Sequence, residues 1–279
     1  MTTISINGRY YRLHPPEHYA GHDFVGETAD LGRTALLVVD VYGQGFTSED
    51  ELRHHPAMDP EKDKIWTENA VQHIAPAIAA ARRAGLPVIF VSNSSPRIEF
   101  NQSQFGHMIN RSLGSDIEDL LSEPQVDAWE YNRRDNHFIE YSRALAPCPD
   151  DYYIRKHFYS GFKDTRLDTL LRNLDIKTLI CVGYSGDVCL FCTLIDAMEL
   201  NYQVILLRDC TRSTEIPEDE GGRISYTERM VYWIESYVGV TITSGEFIEA
   251  LEQAQLAPGP QNVVLARMMA AKAATGGQS

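Results

Sequence analysis

The stretch TLICVGYSGDVCLFCTLIDAMELNYQVILLR (178–208) decides the fold. It opens on Thr178–Gly183, a short apolar run rich in β-branched side chains, as a strand buried on both faces requires. Val188–Leu200 then reads as a helix, and Gln203–Arg208 as a second buried strand. The turn between the first strand and the helix, Gly183-Tyr184-Ser185-Gly186-Asp187-Val188-Cys189, sets a cysteine at or near the helix's first turn.

The same alternation extends toward the N-terminus. Thr34–Asp40 is a continuous apolar run closed by an acid. From Glu68 to Ala84, residues Val71, Ile74, Ala75, Ile78 and Ala81 recur at helical spacing, and Gly85 supplies the stop. Pro87–Ser92 is the next strand, and Asp168–Leu174 reads as a helix. Strand and helix repeated in this order predict an α/β fold, a parallel sheet covered by helices on both faces. Three stretches stand outside the pattern. In the N-terminal extension 1–33, Ile4, Ile6 and Tyr10 flank Asn7-Gly8, a pair suited to a tight hairpin turn. Residues 94–150 are long and polar, as lids and binding loops are. The main unit is taken as 34–256, and 257–279 reads as a frayed tail or an oligomer arm.

Composition narrows the function classes. The 279 residues are 43% hydrophobic and 23% charged, enough for one sizeable globular domain. Lys and Arg number 25 against 39 Asp and Glu, and the formal charge of −14 disfavours a nucleic-acid partner. No apolar run approaches the roughly 18 residues of a membrane span, and Met1–Arg12 lacks the apolar centre of a signal peptide. Five sparse cysteines suit reduced thiols, so a cytoplasmic protein is expected.

In open parallel sheets, ligands bind beyond the carboxyl ends of the strands. Asp40, the 183–189 turn and Lys156, which follows the run Tyr152-Tyr153-Ile154 and Arg155, all fall at such ends. A helix N-terminus favours a thiolate at Cys189 and offers N–H groups to an oxyanion. A nearby lysine would add to that, and Asp40 could move the thiol's proton. Each residue also has a plainer reading: a small buried cysteine, a capping acid, a surface cation beside His157. Cys148, Cys181 and Cys210 take the buried reading. Cys189-Leu190-Phe191-Cys192 has thioredoxin-like spacing, but no second cysteine or histidine pair completes a zinc site, so no metal or cofactor is expected.

The order Asp40, Lys156, Cys189 resembles the isochorismatase-like cysteine hydrolases. The matching segments are 35–46, 70–92 and 153–211, the last carrying Lys156-x-x-Tyr159-Ser160-x-Phe162, Thr165-x-Leu167 and Gly183 six residues before Cys189. The resemblance implies a doubly wound, mostly parallel sheet of six strands. It implies Cys189 as nucleophile, Asp40 as general base and acid, Lys156 as supporting cation, and a cis peptide between Tyr184 and Ser185. The Ser185 and Cys189 N–H groups would form the oxyanion hole. The product is hydrolysis of a C–N bond through a thioester, in a homodimer or homotetramer. The chain lacks the Asp-x-His metal motif of the nicotinamidases between Tyr42 and Trp66, and where many members follow the acid with Gln-Asn-Asp-Phe it has Tyr42-Gly43-Gln44-Gly45-Phe46. Asn93, and Tyr159 three residues past the lysine, look like the ureidoacrylate amidohydrolase subgroup, as does the helix region Tyr226–Tyr237 with Trp233. A ureido or carbamoyl substrate contacting Phe46, Asn93, Tyr159 and Tyr184 is therefore expected. Maleamate- or nicotinamide-type amidases and an idle oligomeric family member are the alternatives.

Overall fold

The computed structural model describes residues 2–15, 17, 20–42, 60–93, 103, 104, 107, 108, 111, 141–214 and 224–254. Its strands are β1 (Thr3–Arg12), β2 (Gly21–Asp30), β3 (Thr34–Val39), β4 (Val88–Asn93), β5 (Tyr152–Lys156), β6 (Thr178–Gly183), β7 (Gln203–Thr211) and β8 (Val240–Ile242). Its helices are α1 (Pro60–Asn69), α2 (Ala75–Arg83), α3 (Leu167–Asn173), α4 (Cys189–Glu199), α5 (Tyr226–Tyr237) and α6 (Ser244–Gln253). A π-helical turn, Ala70–Ile74, joins α1 to α2. It sits just before Pro76, which has no N–H to give to the ladder, and Ala75 N–H reaches back five residues to Ala70 O.

The strands form one sheet in the order β2-β1-β8-β7-β6-β3-β4-β5. Strands β3 to β8 run parallel, and β3 lies between β4 and β6. Every residue of β3 is buried, because helices cover both faces. Leu36 and Val38 pack with Ile74, Ala77, Ile78 and Ala81 on one face, and with Phe247 and Leu251 of α6. Ala35, Leu37 and Val39 pack on the other with Leu167 and Leu171 of α3, Leu190 and Leu194 of α4, and Val231 and Ile234 of α5. The alternation along one strand thus feeds two cores.

The sheet has eight strands where six were expected. The extra two are the N-terminal hairpin, which pairs antiparallel onto β8 through Arg9 and Thr241. The hairpin does not turn at Asn7-Gly8: these lie within β1, opposite Gly26 and Val25. Gly8 serves close packing instead, since a Cβ there would come within 2.7 Å of Val240. The buried Glu235 of α5 fastens the hairpin, taking Arg9 Nε at 2.7 Å, His22 Nε2 at 3.0 Å and Thr241 Oγ1 at 2.5 Å. The hairpin therefore widens the sheet at the edge away from β3, β4 and β5. Most of 94–150, and all of 257–279, lie outside the described residues.

Candidate active site

The chain leaves β3 toward β4 and β5 on one side and returns to β6 on the other. The carboxyl ends of β3 and β6 flank that switch point, where open α/β sheets bind ligands. Gly183 lets the two ends meet: its φ is +121°, and a Cβ would lie 2.0 Å from Val39 O. Tyr184 N–H then donates to Val39 O at 2.8 Å, and Asp40 N–H to Val91 O at 2.9 Å. Asp40 itself turns out of β3 with φ +50°, a conformation that Asp tolerates better than bulkier residues do.

This convergence gathers Asp40, Lys156 and Cys189. Lys156 ends β5 with no exposed surface. Its Nζ lies 2.7 Å from Asp40 Oδ2 and donates to Cys189 Sγ at 3.3 Å. It also donates to Asn93 Oδ1 at the end of β4. Burial opposes the lysine's charge, but Asp40 and Cys189 outweigh it, and its pKa is raised. The segment after β5 is fastened to α4: Gly161 N–H donates to Thr193 Oγ1 at 2.9 Å, and Thr193 Oγ1 to Cys189 O at 2.7 Å. Ser160 Oγ donates to Asp196 Oδ2 at 2.5 Å, and Thr165 Oγ1 to Gly161 O at 2.6 Å. The Tyr-Ser-x-Phe and Thr-x-Leu signals are thus largely the fastening that holds lysine against cysteine.

The cysteine's chemistry departs from the sequence expectation. Burial first, and then the Asp40 charge, push the Cys189 thiol well above its ordinary range, and Lys156 offsets them only in part. Burial and the neighbouring carboxylate thus oppose the thiolate that the lysine favours. The peptide between Tyr184 and Ser185 is cis. Among the described residues, the N–H groups of Ser185 and Cys189 make no backbone hydrogen bond outside the helices and strands; Cys189 opens α4, and Ser185 lies in the turn before it.

The isochorismatase domain model matches residues 34–231, well over half of the chain. The chain belongs to the isochorismatase-like cysteine hydrolase family. It is a hydrolase of the class acting on carbon–nitrogen bonds. This hydrolase is 29% identical over 212 residues to the ureidoacrylate amidohydrolase RutB of Methylorubrum extorquens, covering 74% of this chain and 80% of the relative. It is 27% identical over 231 residues to the RutB of Enterobacter sp., covering 80% and 91%. A cysteine hydrolase from Pseudomonas syringae superposes with a TM-score of 0.60 at 26% identity, covering 81% of this chain and 95% of that one. An isochorismatase family protein from Desulfovibrio vulgaris shares the fold, with a TM-score of 0.56 at 19% identity over 79% of this hydrolase and 98% of that chain.

The residues expected to touch substrate are placed unevenly. Asn93 joins the cluster, but its side-chain oxygen is taken by Lys156. Tyr159 is half-buried, and its hydroxyl reaches Met108 Sδ at 3.7 Å. Tyr184 faces away from the cluster, with Val182 on the sheet face under α1. Its ring stacks on Trp66 at 4.7 Å, and its hydroxyl meets Trp66 O at 2.7 Å and Asn69 Oδ1 at 2.9 Å. The phenol expected to narrow the pocket or to donate to substrate is committed to the core by strand alternation. Phe46 lies outside the described residues. Sequence reasoning missed Tyr42, noted only as a departure from the family's run. Its hydroxyl donates to Asp40 Oδ1 at 2.6 Å and accepts from Asn93 N–H at 3.0 Å. No cluster of His, Cys, Asp and Glu suited to a metal ion forms among the described residues, and none of their helices is long and apolar enough to cross a membrane.

Proposed function

We propose that this hydrolase opens the C–N bond of a small ureido or carbamoyl compound through a thioester on Cys189, releasing ammonia or carbamate. The observation that carries the reading is the buried lysine standing 2.7 Å from a carboxylate and 3.3 Å from a thiol at the sheet's switch point. Asp40 takes the thiol's proton as sulfur attacks the carbonyl carbon. Lys156 balances the carboxylate and the developing sulfur charge. The N–H groups of Ser185 and Cys189 supply donors for the tetrahedral oxyanion. The C–N bond breaks as Asp40 returns the proton to the departing nitrogen. A water then gives its proton to Asp40 and adds to the thioester, and sulfur leaves and is reprotonated.

The substrate class draws on the ureidoacrylate amidohydrolases among its relatives. Asn93, fixed through its oxygen, keeps amide N–H groups for a substrate carbonyl, and Tyr159 offers a phenol nearby in sequence to Lys156. Ammonia release is measured across biuret, ureidoacrylate, carbamoyl amino acids, maleamate and nicotinamide. Turnover is expected on the ureido and carbamoyl members, with an acyl adduct on Cys189 seen by mass. Retained turnover in Cys189→Ala would sink the covalent mechanism, and preference for maleamate or nicotinamide would sink the substrate class.

A further inference from the structure

The two oxygens of Asp40 meet different partners. Oδ2 faces the Lys156 ammonium at 2.7 Å, whereas Oδ1 accepts the Tyr42 hydroxyl at 2.6 Å. That hydroxyl accepts the Asn93 backbone N–H at 3.0 Å, and the Asn93 side-chain oxygen accepts from Lys156. Asp40, Tyr42, Asn93 and Lys156 thus close a ring across the ends of β3, β4 and β5. Within it Lys156 donates to Asn93 and Cys189, and meets Asp40 Oδ2 as an ion pair; among the described residues no donor hydrogen-bonds that buried oxygen. The Tyr42 hydroxyl uses its donor and an acceptor site.

We propose that Tyr42 is a positioning residue, whose phenol locks Asp40 Oδ1 so that Oδ2 is the oxygen that exchanges the Cys189 proton. This deepens the hydrolase reading above and rests on it. A carboxylate is free to swap its oxygens by turning about one bond, and a short charge-assisted bond to one of them stops that rotation. Tyr42 suits the task because burial, and then the Asp40 charge, raise its own pKa well above the usual tyrosine range. The phenol therefore holds its proton more tightly than an exposed tyrosine does.

The test needs no knowledge of the substrate. Iodoacetamide alkylation of Cys189, read by the mass of its peptide, is followed against pH in the wild type, in Tyr42→Phe and in Tyr42→3,5-difluorotyrosine. Phenylalanine removes the donor, and the fluorinated phenol is a stronger donor of nearly the same shape. The rate at a given pH is expected to fall several-fold in the first and to stay at or above the wild-type rate in the second. With ureidoacrylate as probe, Tyr42→Phe should lower kcat by roughly 10- to 100-fold with KM within about twofold, the pattern of a group acting in the chemical step. Where far-UV circular dichroism shows Tyr42→Phe unfolded, the fluorinated variant decides alone, since its packing is preserved, and a rate below the wild type's overturns the role of Tyr42. Coincident alkylation profiles in the wild type and a folded Tyr42→Phe overturn it too. Either result leaves the hydrolase reading intact, because that reading fails separately, through turnover by Cys189→Ala.

Discussion

Replacing Lys156 by methionine keeps a long unbranched side chain and deletes the cation that, among the described residues, is held against Asp40. At the observed 2.7 Å, and with an effective dielectric constant of about 20, the gross attraction is on the order of 6 kcal/mol. Desolvation of the lysine offsets part of it, but Asp40 would remain buried at 6% exposure without its partner. Breaking a buried pair from one side costs about 3–5 kcal/mol, which for a chain of this size lowers Tm by roughly 10 °C. The sign with pH follows from the raised lysine value. The contribution is fully present below the ordinary lysine pKa of about 10.4, and is lost as pH rises through the higher folded value. Adding Asp40→Asn should restore much of the loss, since removing both charges is far cheaper than removing one. Urea unfolding of the wild type, both single variants and the double variant, at pH 5, 7.5 and 10.8, gives the coupling directly. A Lys156→Met protein as stable as the wild type at pH 7.5, or a double variant no better than it, would refute the account of the site as a compensated buried ion pair.

Three further outcomes follow from the geometry. Gly183→Ala should cost more than about 3 kcal/mol and abolish alkylation at Cys189, because φ is +121° and the new Cβ would meet Val39 O at 2.0 Å; soluble yield and thermal melting check it. Tyr184→Phe should lose about 1–2 kcal/mol in urea unfolding while leaving KM unchanged, because its hydroxyl serves Trp66 and Asn69 rather than the pocket. Glu235→Gln should lose about 1.5–3 kcal/mol, with faster hydrogen exchange confined first to β1 and β2, since the carboxylate holds both Arg9 and His22.

Much of the fold was readable because β3, β4, β6 and β7 are buried on both faces and so carry continuous apolar runs. β1 and β2 are the hairpin at the sheet's edge; β1 alternates exposed and buried residues over Thr3–Gly8, β2 hardly alternates, and the interior Asn7-Gly8 therefore suggested a turn. The glycine's actual reason, the close approach of Val240, lies more than two hundred residues away in sequence. Asp40, Lys156 and Cys189 were visible as strand-end residues, but each had an ordinary reading until a family pattern linked them. Tyr42 carried no signal of its own, because its meaning depends on the backbone of Asn93, and Tyr184 misled because a residue beside the nucleophile's turn need not face it.

The sequence by itself determined the order of buried strands and helices, hence the α/β class and the strand ends at which chemistry would lie. Apolar periodicity is local, and it survives being read one segment at a time. Only the tertiary structure decided the burial that opposes a Cys189 thiolate, the closed ring through Tyr42 and Asn93, and which face Tyr184 serves. Those depend on burial and on charges brought within 2.6 to 3.3 Å from four separate strand ends, and no local pattern encodes such distances.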